Sequence, residues 1–261
     1  MTNPTNERSE QSPSLQPRQT CCPIVELRQY TLHPGRRDSL IDLFDREFVE
    51  SQEAVGMRVI GQFRDLDDPN RFVWLRGFRD MPSRAQALKE FYGGPVWKVH
   101  REEANATMVD SDNVLLLRWV LPLSGFSVNS SDRPQPRANE VSQGLVIATI
   151  YYFNAPVGTD FVDFFEDTLK PVVTDTGASI LAYYVTEQSA NTFPALPVRE
   201  GEHVFVWFMR FEDRAAYERH AVALARSQRW RGEVSEELAR CLKGVPEVLK
   251  LSPTARSRLH G

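Results

Sequence analysis

The stretch Gln29-Tyr30-Thr31-Leu32-His33-Pro34-Gly35-Arg36-Arg37-Asp38 decides the fold, because an apolar-rich extended segment stops there at a turn and hands over to an amphipathic helix. It occurs twice. An offset of 121 carries Tyr30 onto Tyr151 and His33 onto Asn154, and Leu40, Leu43, Phe44 and Phe48 of the following helix onto Phe161, Phe164, Phe165 and Leu169. A second offset, 133, carries Phe72-Val73-Trp74 onto Phe205-Val206-Trp207, Phe78 onto Phe211, Asp80 onto Asp213 and Trp97 onto Trp230. One loop insertion in the second copy explains both offsets, and it is read at Gln188 to Gly201, where the first copy has only Leu66 to Asn70.

Working outward from that turn, Ile24 to Leu32 is a half-buried strand ended by Pro34-Gly35. Leu40, Leu43, Phe44 and Phe48 fall on one face of a helix from about Arg36 to Glu53. Strands from about Met57 to Asp65 and Arg71 to Arg79 make a hairpin across the turn residues Asp67-Asp68-Pro69-Asn70. Asp80 or Ser83 caps a second helix, which bends at Gly93-Gly94-Pro95, resumes at Trp97 and runs to about Met108. Asn113 to Val120 is the fourth strand. The order βαββαβ is that of a ferredoxin-like unit, and it repeats after a linker. The predicted class is α+β: two tandem ferredoxin-like repeats, at 24–120 and 144–252, forming a dimeric α/β barrel assembly. Residues 1–22 are read as a disordered tail, 121–143 as a linker and 253–261 as a second tail.

Composition narrows the function classes. The 261 residues carry 31 Lys and Arg against 35 Asp and Glu, a net charge of −4, so nucleic acid is not an expected partner. No apolar run is long enough for a membrane span, and the first twenty residues lack the apolar core of a signal peptide, so a cytoplasmic protein is expected. Three cysteines, with Cys21 and Cys22 adjacent, give neither a disulfide framework nor zinc-ligand spacing and are read as reduced thiols. No metal cluster, glycine-rich phosphate loop or nucleophile elbow is present.

Glu26-Leu27-Arg28-Gln29-Tyr30 with Pro34-Gly35, then Gly56 to Phe63, Phe72 to Arg76, and Trp97-Lys98-Val99-His100-Arg101 with Ala104-Asn105 resemble the NIPSNAP family. The resemblance is close over residues 24–120 and loose over the second copy. It implies the dimeric α/β barrel superfamily, which includes cofactor-independent monooxygenases, haem-degrading enzymes, chlorite dismutases and members with no established reaction. It implies no single activity.

The candidate site comes from how the copies differ. Glu26, Arg28, Arg58, Gln62, Arg64 and Arg76 of the first copy stand opposite Ile147, Thr149, Ser179, Tyr183, Val185 and Met209 of the second. Charges in strands covered on both faces are costly unless paired, so these arginines either line a pocket or stitch the sheets together. One reading is a small-molecule pocket in the first copy, with His100 and Tyr30 as catalytic groups and Arg28, Arg58, Arg76, Trp74 and His33 binding a small aromatic or polyketide-like anion. The reaction would be cofactor-independent oxidation or proton transfer. No cofactor is expected, because no axial-ligand motif selects haem. The other reading is a non-enzymatic binding or scaffold protein. A homodimer or higher oligomer is expected in either case, because small open sheets need partners for their edges and faces.

Overall fold

The computed structural model describes residues 20–127, 133–134 and 143–260. Its eight strands are β1 (Ile24–Leu32), β2 (Arg58–Asp65), β3 (Arg71–Phe78), β4 (Met108–Trp119), β5 (Leu145–Phe153), β6 (Ser179–Thr186), β7 (His203–Phe211) and β8 (Glu247–Pro253). They close into one antiparallel barrel in the order β1-β3-β2-β8-β5-β7-β6-β4. Within each half the order is fourth, first, third, second strand, and the halves meet where β2 pairs β8 and β4 pairs β6. The sheet edges therefore find partners within the chain, which removes the reason for expecting them from a second copy.

Helices cover the outside of the barrel. In the first half they are α1 (Arg37–Leu43), a π turn (Phe44–Phe48), α2 (Val49–Ala54), α3 (Met81–Gly93) and α4 (Pro95–Asn105). In the second half they are α5 (Thr159–Phe164), a π turn (Phe165–Leu169), α6 (Lys170–Asp175), α7 (Arg214–Arg226), a further π turn (Trp230–Val234) and α8 (Ser235–Cys241). Strand alternation sorts the apolar residues into three cores. Val25, Leu27, Val73 and Leu75 point into the barrel with Val146, Ala148, Val206 and Phe208. Tyr30, Phe72, Trp74 and Phe78 face the first-half helices, and Tyr151, Phe205, Trp207 and Phe211 face those of the second.

The two offsets seen in the sequence reappear as geometry. The bulge between Val59 and Gly61 has its counterpart between Ile180 and Ala182, 121 residues on. Gly56 and Gly177, both at positive φ, end the matched helices, and only glycine takes that conformation without steric cost. Asp80 and Asp213 each cap the following helix by accepting a hydrogen bond from the backbone N–H three residues on.

Four segments differ from expectation. Residues 20–22 are not a loose tail: the Cys21 N–H donates to the Phe126 carbonyl at 3.0 Å, and Cys22 is buried in the barrel core. Cys21 and Cys22 are joined by a disulfide rather than reduced. The rest of the expected first tail, 1–19, lies outside the described residues, as does most of the expected linker. At the linker's start Phe126 is fully buried against Phe208, and at the C-terminal end Leu259 enters the same core. In both places a large apolar residue outside the strands joins a core built from distant strands, a long-range match that composition does not reveal. Finally, β4 begins at Met108 rather than Asn113; its polar first half is paired to β1 through an irregular register.

Candidate active site

Between the first-half sheet and its helices lies a small cavity of about 30 Å³, set within about 340 Å³ of space not filled by atoms that includes its open mouth. Tyr30 and Trp74 form its floor, Leu40, Phe44, Phe48 and Gln52 one wall, and Phe91, Tyr92 and Trp97 the other. Tyr92 and Trp97 are only half-buried and mark the mouth. The lining is aromatic because the helix-facing positions of β1 and β3 alternate with the barrel-facing ones: Glu26, Arg28 and Tyr30 lie on one face of β1, opposite Arg76, Trp74 and Phe72 of β3.

The charged members of those rows sit directly behind this lining. Glu26 is fully buried and accepts from three guanidinium groups: Arg28 Nη1 at 2.7 Å and Arg76 Nε at 2.7 Å on Oε2, and Arg84 Nε at 2.6 Å on Oε1. Burial opposes its ionisation, but Arg76, Arg28 and Arg84 together outweigh that effect and hold the Glu26 carboxyl far below the usual carboxylate range. For Arg28, burial opposes the charge while Tyr30 and Glu26 outweigh it, so its pKa is raised above the ordinary range. Burial dominates at Arg84 and lowers its pKa, though a guanidinium starts high enough to stay charged. One carboxylate against three guanidiniums leaves two positive charges in excess. Arg76 Nη2 and Arg84 Nη2 are buried and without a hydrogen-bond partner among the described residues.

The excess charge reaches the cavity through neutral groups. Arg28 Nε donates to the Tyr30 hydroxyl at 3.0 Å. Arg76 Nη1 donates to Gln52 Oε1 at 3.3 Å and to the Tyr92 hydroxyl at 3.4 Å. Both guanidiniums also stand over the Trp74 ring, at 5.6 and 5.1 Å from its centroid. With their oxygens engaged as acceptors, Tyr30 and Tyr92 keep their own O–H groups available, and the buried Trp74 Nε1 has no partner among the described residues. Burial raises the Tyr30 pKa, so its phenol stays protonated and a donor at neutral pH. The arrangement suits an anion or a developing oxyanion held by N–H and O–H donors with positive charge behind them.

The candidates from sequence divide. Tyr30 and Trp74 line the cavity, and Arg28 and Arg76 stand behind it. His33 is exposed in the β1–α1 turn, engaged through its backbone with Thr107 and Arg36. Arg58, half-buried at the start of β2, is not a lining residue. His100 stands behind Phe48, with Nε2 3.5 Å from Glu47 and Nδ1 3.6 Å from Glu103, and is likewise outside the lining. It is therefore not placed to contact a ligand in this cavity or to serve there as an axial ligand to haem. No group of three or more His, Cys, Asp or Glu suited to a metal occurs among the described residues, and none of their helices is long and apolar enough to cross a membrane.

Sequence reasoning missed Arg84, Gln52 and Tyr92. Arg84 lies on a helix, where arginine normally reads as solvent-facing, and its remaining partners Asn191 Oδ1 and Thr192 Oγ1, at 3.0 and 3.1 Å, come from the other half of the chain. The available signal was the 133 offset itself, which sets Arg84 against Tyr217.

Comparison with known proteins places this geometry. Residues 25–120 match the family model for NIPSNAP. No curated protein matches the sequence. Among solved structures, a Fusobacterium nucleatum protein with a provisional monooxygenase name aligns over 92% of this chain and 96% of its own at a TM-score of 0.53 and 11% identity. An anthrone oxidase-like protein aligns over 91% and 95% at a TM-score of 0.52 and 12% identity. A dye-decolorizing peroxidase from Bacteroides thetaiotaomicron aligns over 92% and 96% at 0.52 and 8% identity. At such identities the likeness is one of fold.

Proposed function

We propose, from the premise that residues 25–120 carry a NIPSNAP domain, that the first half of this chain binds a small aromatic or polyketide-like anion and promotes its cofactor-independent oxidation or a proton transfer on it. The barrel is taken as a tandem of two ferredoxin-like units, at 24–120 and 144–252, one carrying the site and the other supporting it. The observation that carries the reading is the double positive excess around Glu26, held behind an aromatic cavity, where the second half has the uncharged Ile147, Thr149, Met209 and Tyr217 in the matched places. The oxygenase and peroxidase names of the structural neighbours agree with it.

The chemistry follows from the charge. At an effective dielectric of about 20, one net charge ~6 Å from a ligand oxygen favours its anion by ~3 kcal/mol, about two pKa units. A bound phenol, whose pKa is ordinarily about 10, is thus brought to about 8, so that roughly a tenth of it is ionised at pH 7, with Tyr30, Tyr92 and Trp74 solvating the oxyanion. The resulting electron-rich carbon framework is the form that reacts with dioxygen or is reprotonated elsewhere. Glu26, pinned as a carboxylate by three cations, is too weak a base to take that proton, so it leaves to solvent at the Tyr92–Trp97 mouth. The role assigned to Tyr30 is donor to the oxyanion, with Arg28 and Arg76 supplying the field.

A second reading, a scaffold or binding protein without a reaction, is favoured by one specific observation: all three arginines are already paired to Glu26 in a dry setting. Self-association is not needed for either reading, since one chain closes the barrel, and light scattering reads the mass directly. The deciding experiment is a spectrophotometric titration of 1-hydroxy-2-naphthoate and simple quinols with and without the purified protein, alongside a visible spectrum of the protein itself. Binding with the phenol pKa lowered by at least one unit supports the site. Binding with an unshifted pKa, or no binding, leaves the scaffold.

A further inference from the structure

We infer that the segment 188–201, contributed by the second half, is the specificity element of the first-half cavity, with Phe193 selecting the ring size of the bound anion and Asn191 positioning Arg84. The inference rests on the reading of that cavity as an aromatic-anion site. The segment is the one insertion that separates the two offsets, and its apolar side chains pack on the other half, while Arg199 ties its end to Tyr152 of its own half. Phe193, Leu196 and Val198 pack against the first-half helix-side core.

Its contacts fall on the groups that carry charge to the cavity. The Phe193 ring stacks on Tyr92, with centroids 5.9 Å apart and planes 25° from parallel. Tyr92 is the half-buried lining residue whose hydroxyl accepts from Arg76. Asn191 Oδ1 and Thr192 Oγ1 both accept from Arg84 Nη1, and Thr192 in turn donates to the Met81 carbonyl at 3.4 Å. One short segment therefore touches the supports of both guanidiniums whose Nη2 atoms lack partners.

The segment is built to hold that position. Asn191 Oδ1 also accepts the Phe193 N–H at 3.0 Å, and its Nδ2 donates to the Leu196 carbonyl at 2.9 Å, which fixes the turn that presents Phe193. The far end is clamped by Arg199, whose N–H donates to the Val114 carbonyl at 2.8 Å and whose guanidinium reaches Tyr152 and Glu202. A single-ring anion is assigned to the space among Tyr30, Phe44 and Trp74, which its entry must widen from about 30 Å³, and a second fused ring to the direction of Tyr92, with Phe193 behind it. The two residues thus predict different signatures, one dependent on ring size and the other not.

Calorimetry on the full chain with benzoate and 2-naphthoate separates them. Phe193→Ala is expected to weaken 2-naphthoate about tenfold and benzoate by less than about threefold, with Phe193→Leu, which keeps bulk but not a ring face, between wild type and Ala. Asn191→Ala is expected to weaken both acids by the same several-fold factor. Wild-type protein that binds neither acid shows that the cavity reading itself has failed, and the inference with it. Binding of both acids with Phe193→Ala and Phe193→Leu shifting them equally, or not at all, overturns the loop inference alone and leaves the cavity standing.

Discussion

The two halves of this barrel share their scaffold to the level of single irregularities yet differ in what they bury. Bulges at Val59/Gly61 and Ile180/Ala182, π turns at Phe44–Phe48 and Phe165–Leu169, and caps at Asp80 and Asp213 all match. Against that common frame, Glu26, Arg28, Arg76 and Arg84 of the first half stand where the second has Ile147, Thr149, Met209 and Tyr217. The second half shows that apolar or neutral residues satisfy the fold at these places. The buried charges of the first half are thus not demanded by the architecture, and exchanging a buried ionic group for apolar residues is often neutral or stabilising when done as a set. That the fold carries the cluster without needing it is the premise of the proposed anion site.

The sharpest way to break this comparison is to remove the one anion. Glu26→Gln leaves three buried guanidiniums without their carboxylate and is expected to cost about 3–5 kcal/mol in urea denaturation, whereas Ile147→Val in the matched place costs about 0.5–1.5. The pH dependence carries the same sign. Because the folded-state pKa of Glu26 is depressed, its contribution is fully present above the unfolded carboxylate value, about 4.3, and is lost as pH falls towards the folded one. Wild-type stability should therefore decline on acidification below about pH 4, and the variant's decline should be shallower. A variant as stable as wild type at neutral pH would mean that the arginines are held by something other than Glu26.

The next effect is smaller because a partner remains. Arg76→Met installs the residue the second half uses, leaves Glu26 with Arg28 and Arg84, and is expected to cost about 1–3 kcal/mol. It should also abolish most of the affinity for aromatic acids, since it removes one of the two excess charges. Full affinity in a folded Arg76→Met protein would detach binding from the cluster.

How much of this was legible follows from where each signal lies. The strand and helix order and the hairpins were readable because each is a local pattern seen twice, and the insertion because it separates the two offsets; the bulges were not read from the sequence. Arg28 and Arg76 were readable as candidates because their counterparts Thr149 and Met209 are neutral, whereas Tyr30 and Trp74 recur as Tyr151 and Trp207 and carry no such signal. Arg84 was not, since a helical arginine becomes internal only when a loop more than one hundred residues away covers it. The histidines were nominated by side-chain chemistry alone, whereas His33 lies exposed in the β1–α1 turn and His100 lies between α4 and the π turn, against Glu47 and Phe48, outside the cavity lining. Phe126 and Leu259 could not be assigned because the core they join is assembled from strands of both halves and exists only once the barrel has closed.

A third comparison concerns Asp45 and its counterpart Glu166, at the π turns. Glu166 is paired with Lys170 at 2.8 Å, while burial raises the Asp45 pKa to about 6 against the pull of Arg256 and of the hydrogen bond from Gln62. A raised carboxyl pKa means that the folded state takes up the proton more readily, so this group makes stability rise as pH falls from about 7 to about 5. The full shift would correspond to about 3 kcal/mol, and partial exposure of Asp45 reduces the expectation to about 1–2. Denaturation at the two pH values should show the rise in wild type and lose it in Asp45→Asn. A rise that persists in the variant would place the titrating group elsewhere.

The smallest expected effect tests whether the site is drawn in the right place. His100 sits on α4 between Glu47 and Glu103, at 3.5 and 3.6 Å, with Phe48 between it and the cavity. Contacts of that length between partly exposed groups are worth little, so His100→Ala should change stability by no more than about 0.5 kcal/mol. Because the ring touches no lining polar atom, affinity for aromatic acids and the shift in their phenol pKa should be unchanged, and any turnover should keep its pH profile. The same assays on Tyr30→Phe, which removes one donor from the cavity floor and leaves the ring packing on Trp74, should show a weaker phenol pKa shift with stability nearly intact. If His100→Ala instead abolishes turnover while Tyr30→Phe is silent, the reaction takes place beside His100, between α4 and the π turn, and the cavity behind Phe48 is only a gap in the core.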